Sequence, residues 1–105
     1  MAETAKFDWL SSVLVRNRDF ALRKIEDEGI LIPIRVNFAE DNRIYNLNPL
    51  AVRFWELVDG RRTGTEIRDL LAEEYDVGIE RLTEDLETFV RHLLSIQGIL
   101  LGGTK

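Results

Sequence analysis

The stretch Arg43–Gly60, which reads RIYNLNPLAVRFWELVDG, decides the fold because the spacing of its apolar residues changes at the Asn48-Pro49 pair. Residues 43–47 are expected to form a short strand with Tyr45 and Leu47 on one face. After the pair, apolar residues recur at helical spacing. The asparagine side chain can cap the first turn, and proline is well tolerated at the first helical position. The sequence therefore predicts a strand followed directly by a helix over about 48–59.

Two further strands are predicted upstream of this stretch. In Phe20–Ile25 the apolar residues Phe20, Leu22 and Ile25 alternate imperfectly with charged residues, and a polar turn that ends at Gly29 follows. Ile30–Val36 is rich in β-branched residues, so we expect it to pair with the first strand, with Pro33 at an edge or a bulge. In residues 1–14 the apolar side chains are spaced loosely, as on one face of a short helix.

Two further helices and a short apolar tail are predicted downstream. Thr63 or Thr65 can cap the second helix, which reaches Tyr75, and the third helix covers about 80–97. The tail is Ile99–Leu101. The expected fold class is therefore α+β, with a three-stranded antiparallel sheet followed by three helices.

The composition argues against several classes of function. The 105 residues include no cysteine and one histidine, so we expect no transition-metal site. The net charge is -5, and residues 63–105 hold nine acids and four bases, a balance that would repel a nucleic acid. The longest apolar stretch, Ile30–Ile34, is too short to span a membrane, and the N-terminus lacks the features of a secretory signal. A cytoplasmic protein is expected.

Short motifs along the chain resemble those of the PqqD family. They run from the predicted third strand to the apolar tail: Ile44–Asn48, Phe54–Gly60, Arg62-Thr63, Glu66-Ile67, Tyr75–Val77, Glu84–Leu86, Phe89–Leu94 and Gly98–Leu100. The resemblance covers about Val15–Leu101. We therefore expect a recognition domain over 15–101, between an N-terminal extension, 1–14, and a C-terminal tail, 102–105.

The resemblance implies a winged-helix-like domain that acts as a RiPP recognition element, binding the leader of a ribosomally synthesised precursor peptide. In the family, the leader adds as an antiparallel strand to the third strand, in a groove closed by the third helix. A separate enzyme, such as a radical S-adenosylmethionine enzyme, then modifies the peptide. The implied role is that of a peptide-binding adaptor, which is not itself an enzyme and uses no cofactor.

The residues expected to contact such a peptide belong to the third strand and to one side of the third helix. They are Arg43, Ile44, Tyr45, Asn46, Leu47, Arg81, Asp85, Thr88, Phe89 and His92. The four polar residues of the helix share one face at three- and four-residue spacing, but a solvated helix face shows the same pattern. An aromatic residue such as Tyr45 could stack on the peptide or pack within the sheet.

Two other functions are compatible with the same pattern of elements. A winged-helix regulator would place one helix in the major groove of DNA, although the acidic third helix disfavours this interpretation. A structural domain would pair its open strand edge with a second copy of itself, which would give a homodimer.

Overall fold

A computed structural model describes residues 8–34 and 44–104 of the chain. Five strands and three helices lie in these ranges. In chain order they are β1 Ser12–Arg16, β2 Phe20–Ile25, β3 Glu28–Pro33, β4 Tyr45–Leu47, α1 Pro49–Leu57, α2 Gly64–Tyr75, α3 Ile79–Ser95 and β5 Ile99–Thr104. The predicted α+β class is confirmed, with a three-stranded antiparallel sheet followed by three helices.

The three-stranded sheet has the order β2-β3-β4, so β3 is its central strand. A tight turn joins β2 to β3, with Ile25 paired to Glu28 and Glu26 at a φ of 60°. Pro33 is the last residue of β3 and lies beyond Leu31, where the pairing with β4 ends. The missing N–H of Pro33 therefore removes no hydrogen bond from the described part of the sheet, even though β3 is the central strand.

The predicted strands agree with this sheet except at their ends. The first has the predicted bounds, whereas the second begins earlier, at Glu28, and ends at Pro33. Residues 35 and 36 of the predicted second strand lie outside the described residues. The predicted third strand begins at Tyr45, and Arg43 also lies outside the described residues.

A second sheet of two strands, β1 and β5, was not predicted. The helical interpretation of the N-terminal segment is wrong for Leu14, which lies in β1 and pairs with Leu101 of β5. Trp9 is buried just before this strand, with 2% of its surface exposed. The predicted bounds of the recognition domain, residues 15–101, stay a prediction. The pairing of β1 with β5 joins residues that lie inside these bounds to residues that lie outside them.

Local side-chain bonds explain where the helices begin and end. The Ala51 N–H donates to Asn48 Oδ1 at 2.8 Å, as predicted for the cap of α1. Thr63, rather than Thr65, caps α2, and Glu66 completes a capping box by accepting from the Thr63 N–H at 2.9 Å. At the other end of α2, Asp76 adopts a left-handed conformation with a φ of 55°.

The hydrophobic core lies between the three-stranded sheet, the two-stranded sheet and the helices. Phe54 and Leu31 are fully buried at its centre. Gly29 of β3 allows α1 to approach the sheet closely, because a Cβ atom there would lie 2.9 Å from Val52 Cγ2. Within the described ranges, no helix is long and apolar enough to cross a membrane.

Candidate functional site

The outer edge of β4 is one of the two edges of the three-stranded sheet, and no strand pairs with it among residues 8–34 and 44–104. Along an antiparallel strand, the backbone groups of successive residues face the two neighbouring strands in turn. The Ile34 N–H donates to Asp19 O, so every second residue of β3 counted back from Ile34 faces β2, and the residues between them face β4. The residues that face β4 include Gly29 and Leu31, and their partners Leu47 and Tyr45 direct their backbone groups toward β3. The N–H and C=O of Asn46 therefore point away from the sheet, where an extended chain can bond to them.

The side chains of β4 have different environments. Tyr45 is half-buried, and its ring meets the ring of His92 in α3 edge to face, with the centroids 5.7 Å apart. Leu47 is only 5% exposed and belongs to the core. Ile44, directly before β4, is 58% exposed. Of the described predicted strand residues, Ile44 and Asn46 are thus the most accessible, and Tyr45 connects the strand to α3.

Among the predicted residues of α3, His92 lies beside this edge, where it contacts Tyr45. Arg81, Asp85, Thr88 and His92 are all exposed. The Arg81 and Asp85 side chains form a loose ion pair, with 4.0 Å between Nε and Oδ2. Phe89 is half-buried, and its ring lies edge to face on Phe54 with the centroids 5.5 Å apart. The helix therefore offers a polar surface whose position relative to the core is fixed by Phe89.

An apolar hollow of about 120 Å³ lies at the end of β4. It is lined by Leu50, Tyr75, Val77, Arg81, Leu82 and Asp85. Tyr75 and Val77 are each 42% exposed, which is unusual for apolar side chains beside a core. Apart from Arg81 and Asp85, the sequence analysis did not predict these residues as part of the site, because they come from three separate segments.

The two open sheet edges differ in charge. β2 carries Arg23 and Lys24, and the Lys24 ammonium pairs with Glu56 of α1 at 2.9 Å. β4 carries no charged residue. Charged residues, lysine above all, protect an edge strand against pairing with another chain. The chemistry of the two edges therefore favours β4 as the edge that accepts a strand.

A network of ion pairs holds α1 against α2 beside the site. The Arg53 guanidinium bonds to both Glu74 oxygens, at 2.9 and 2.8 Å, and also reaches Glu56. The hydrogen bond from Arg53 lowers the pKa of Glu74, and the one from Lys24 lowers the pKa of Glu56. The bonds to Glu74 and Glu56 raise the pKa of Arg53. Arg53, Glu56 and Glu74 are therefore charged at neutral pH.

The described residues contain no group of three or more side chains suited to hold a metal ion. The Ser95 hydroxyl donates to the backbone oxygen of His92 at 2.7 Å, so it is bonded to its own helix rather than to the imidazole. Ser12 Oγ donates to the backbone oxygen of Asp8 at 2.6 Å. Neither serine has the histidine contact of an activated nucleophile.

Comparisons with known proteins agree with this architecture. The solved structure of TbiB1 in complex with the TbiA(beta) leader peptide superposes with a TM-score of 0.69 at 22% sequence identity, covering 87% of this chain and 99% of that chain. A search of curated proteins found no match. The family model described as coenzyme PQQ synthesis protein D (PqqD) matches residues 28–97. This match covers more than half of the 105 residues, so the chain belongs to the PqqD family.

Proposed function

We propose that the protein binds the leader segment of a ribosomally synthesised precursor peptide by strand addition at β4, and presents it to a separate modifying enzyme. The observation that carries this proposal is the uncharged outer edge of β4, where the backbone of Asn46 points away from the sheet. TbiB1, which shares the fold, is solved in complex with a leader peptide. Membership of the PqqD family supports the same role.

Backbone pairing alone would give weak binding. The outward N–H and C=O of Asn46 can form two hydrogen bonds with a guest strand. If the guest strand extends to Ile44, the next outward residue, its N–H and C=O would add two more. At about 1 kcal/mol net for each bond, four bonds give about 4 kcal/mol, which corresponds to a millimolar Kd. The leader must therefore contribute apolar contacts as well as backbone bonds.

The hollow at the end of β4 is suited to such an apolar contact. Its volume of about 120 Å³ is that of about four water molecules. A leucine side chain has four heavy atoms and is therefore of a suitable size. Burial of one aliphatic side chain there would contribute about 1.5–3 kcal/mol. Backbone bonds and one anchor together bring the affinity toward the micromolar range, before the cost of ordering the peptide.

The direction of the elements predicts which part of the leader fills the hollow. Tyr45 at the start of β4 contacts His92 near the end of α3, whereas the hollow joins Leu50, just after β4, to Leu82 near the start of α3. A leader antiparallel to β4 begins at the Leu47 end. We therefore expect the apolar anchor to precede the paired residues in the leader sequence.

In this proposal the chain supplies recognition, and a partner enzyme supplies the chemistry. Holding the leader next to that enzyme raises the effective concentration of the substrate, which can increase apparent affinity by about 10²–10⁴. A radical S-adenosylmethionine enzyme or another peptide-tailoring enzyme would fill this role. Both partners would meet this protein in the cytoplasm.

The test is to look for a short open reading frame next to this gene that encodes a precursor peptide, and to titrate that peptide into isotope-labelled protein. Amide shifts are expected at Ile44–Leu47 and along α3. Asn46→Pro removes the outward N–H that the guest strand needs, so it should weaken leader binding by about tenfold or more. Lys24→Pro is the matched control, because Lys24 holds the equivalent outward position on β2. Full affinity in folded Asn46→Pro would contradict strand addition at β4.

A further inference from the structure

A second cleft, of about 670 Å³, lies at the opposite edge of the three-stranded sheet. Its walls come from the turn after β1, from β2 and from the C-terminal end of α1. The β2 and β4 edges are separated by β3, so they lie about 10 Å apart. A guest in this cleft can therefore bind at the same time as a strand at β4. The cleft belongs to no part of the proposed leader site.

The acidic side chains of this cleft are already paired within the fold. Glu56 bonds to Lys24 at 2.9 Å and also contacts Arg53. Asp59 accepts the backbone N–H groups of Arg61 and Arg62, at 2.9 and 3.0 Å, and pairs with the Arg62 guanidinium at 3.2 Å. These carboxylates are therefore compensated and leave little negative charge facing the cleft.

The basic side chains of the cleft are not paired in this way. Arg16 and Arg18 form no ion pair within residues 8–34 and 44–104. The Arg16 guanidinium carbon lies 5.9 Å from the centroid of the Trp55 ring, a cation–π distance that leaves its N–H groups available to an acceptor. In a chain of net charge -5, this cleft is locally cationic. Its charge is complementary to an acidic guest.

The segment that carries these arginines is held firmly. The Asn17 side-chain amide donates to Gln97 O at 2.7 Å, and the Asn17 N–H donates to Gly98 O at 2.9 Å. The Phe20 N–H closes the turn on Asn17 O at 3.1 Å. Because the backbone on both sides of Asn17 is fixed, Arg16 and Arg18 start from defined positions. A guest loses less entropy on binding to such a site.

We propose that this cleft binds an acidic segment of a partner protein, with carboxylates on Arg16 and Arg18. A peptide fits better than a bare anion because the cleft, at about 670 Å³, extends from these arginines past Leu22 to the end of α1. The cleft thus gives the protein a second docking surface. This inference is independent of leader binding at β4.

The experiment uses the full isotope-labelled chain and three probes at constant ionic strength. The first is the acetylated, amidated peptide Glu-Asp-Leu-Glu-Glu-Leu, the second has glutamine and asparagine in place of its acids, and the third is inorganic phosphate. The acidic peptide should shift the amides of residues 16–22 and 58–60, and the neutral peptide should not. Added salt should weaken the acidic peptide's binding.

The double variant Arg16→Gln/Arg18→Gln should bind the acidic peptide about five- to 25-fold more weakly, because two surface charge pairs are lost. Arg68→Gln/Arg91→Gln removes the same charge on α2 and α3, away from the cleft, and should bind within about twofold of the parent chain. The inference is overturned if the acidic peptide shifts no amides or shifts those of β4 and α3. It is also overturned if both double variants lose affinity equally, or if phosphate reproduces the shifts.

Discussion

Introducing a charge at Val77 should reduce leader affinity without unfolding the protein. Val77 lines the hollow at the end of β4, yet 42% of its surface is exposed, so an aspartate there can be solvated in the free protein. In the complex, the same aspartate would face the apolar anchor of the leader. The loss of about 1.5–3 kcal/mol of anchor burial corresponds to a fall in affinity of about ten- to one-hundred-fold.

Calorimetric titration of the cognate leader into Val77→Asp measures this loss. Leu100→Asp is the matched control, because Leu100 is 46% exposed but lies on β5, away from the hollow. Thermal unfolding of both variants checks that each remains folded. If Val77→Asp binds within about threefold of the parent chain, or if Leu100→Asp loses as much affinity, the hollow does not hold the anchor.

Two further predictions concern the scaffold. Gly29→Val should lower the free energy of unfolding by about 1–3 kcal/mol in urea titrations, because its Cβ would lie 2.8 Å from Leu22 Cδ1 and 2.9 Å from Val52 Cγ2. Gly78→Ala, where the Cβ meets nothing within 4 Å, should lower it by only about 0.5 kcal/mol, because alanine is a poorer N-cap of α3 than glycine, and equal losses would refute the packing argument. Arg53→Met should have a lower free energy of unfolding than the parent chain at neutral pH. This difference should shrink as the pH falls below 4.5, the ordinary pKa of a glutamate, because the lowered pKa of Glu74 stabilises the folded state only while this carboxyl is ionised. A difference that stays constant down to about pH 3 would show that the Arg53–Glu74 pair is not its cause.

Local signals in the sequence predict the parts of this fold that are built from neighbouring residues. The β2–β3 turn, the Asn48 cap and the Thr63 cap each depend on residues within a few positions of one another. The β1–β5 sheet was missed because its strands pair across the whole chain, as in Leu14 with Leu101. The spacing of apolar residues within one strand carries no information about a partner so distant.

The candidate site could be predicted only in part for the same reason. The resemblance to the PqqD family indicated β4 and α3, but not that Leu47 would lie in the core while Asn46 faces outward. The hollow combines residues of α1 with residues around the α2–α3 junction, and the cationic cleft combines residues 15–22 with 55–60. Such surfaces arise only when the tertiary fold brings separate segments together.

The most direct test of the account is hydrogen exchange at the Asn46 amide, measured with and without the cognate leader. In the free protein this N–H should exchange rapidly, because it points away from β3, whereas the Leu31 amide in the central strand should be protected. Saturation with the leader should slow exchange at Asn46 strongly. An Asn46 amide that is already protected without the leader, or that exchanges equally fast when the leader is bound, would contradict strand addition at β4.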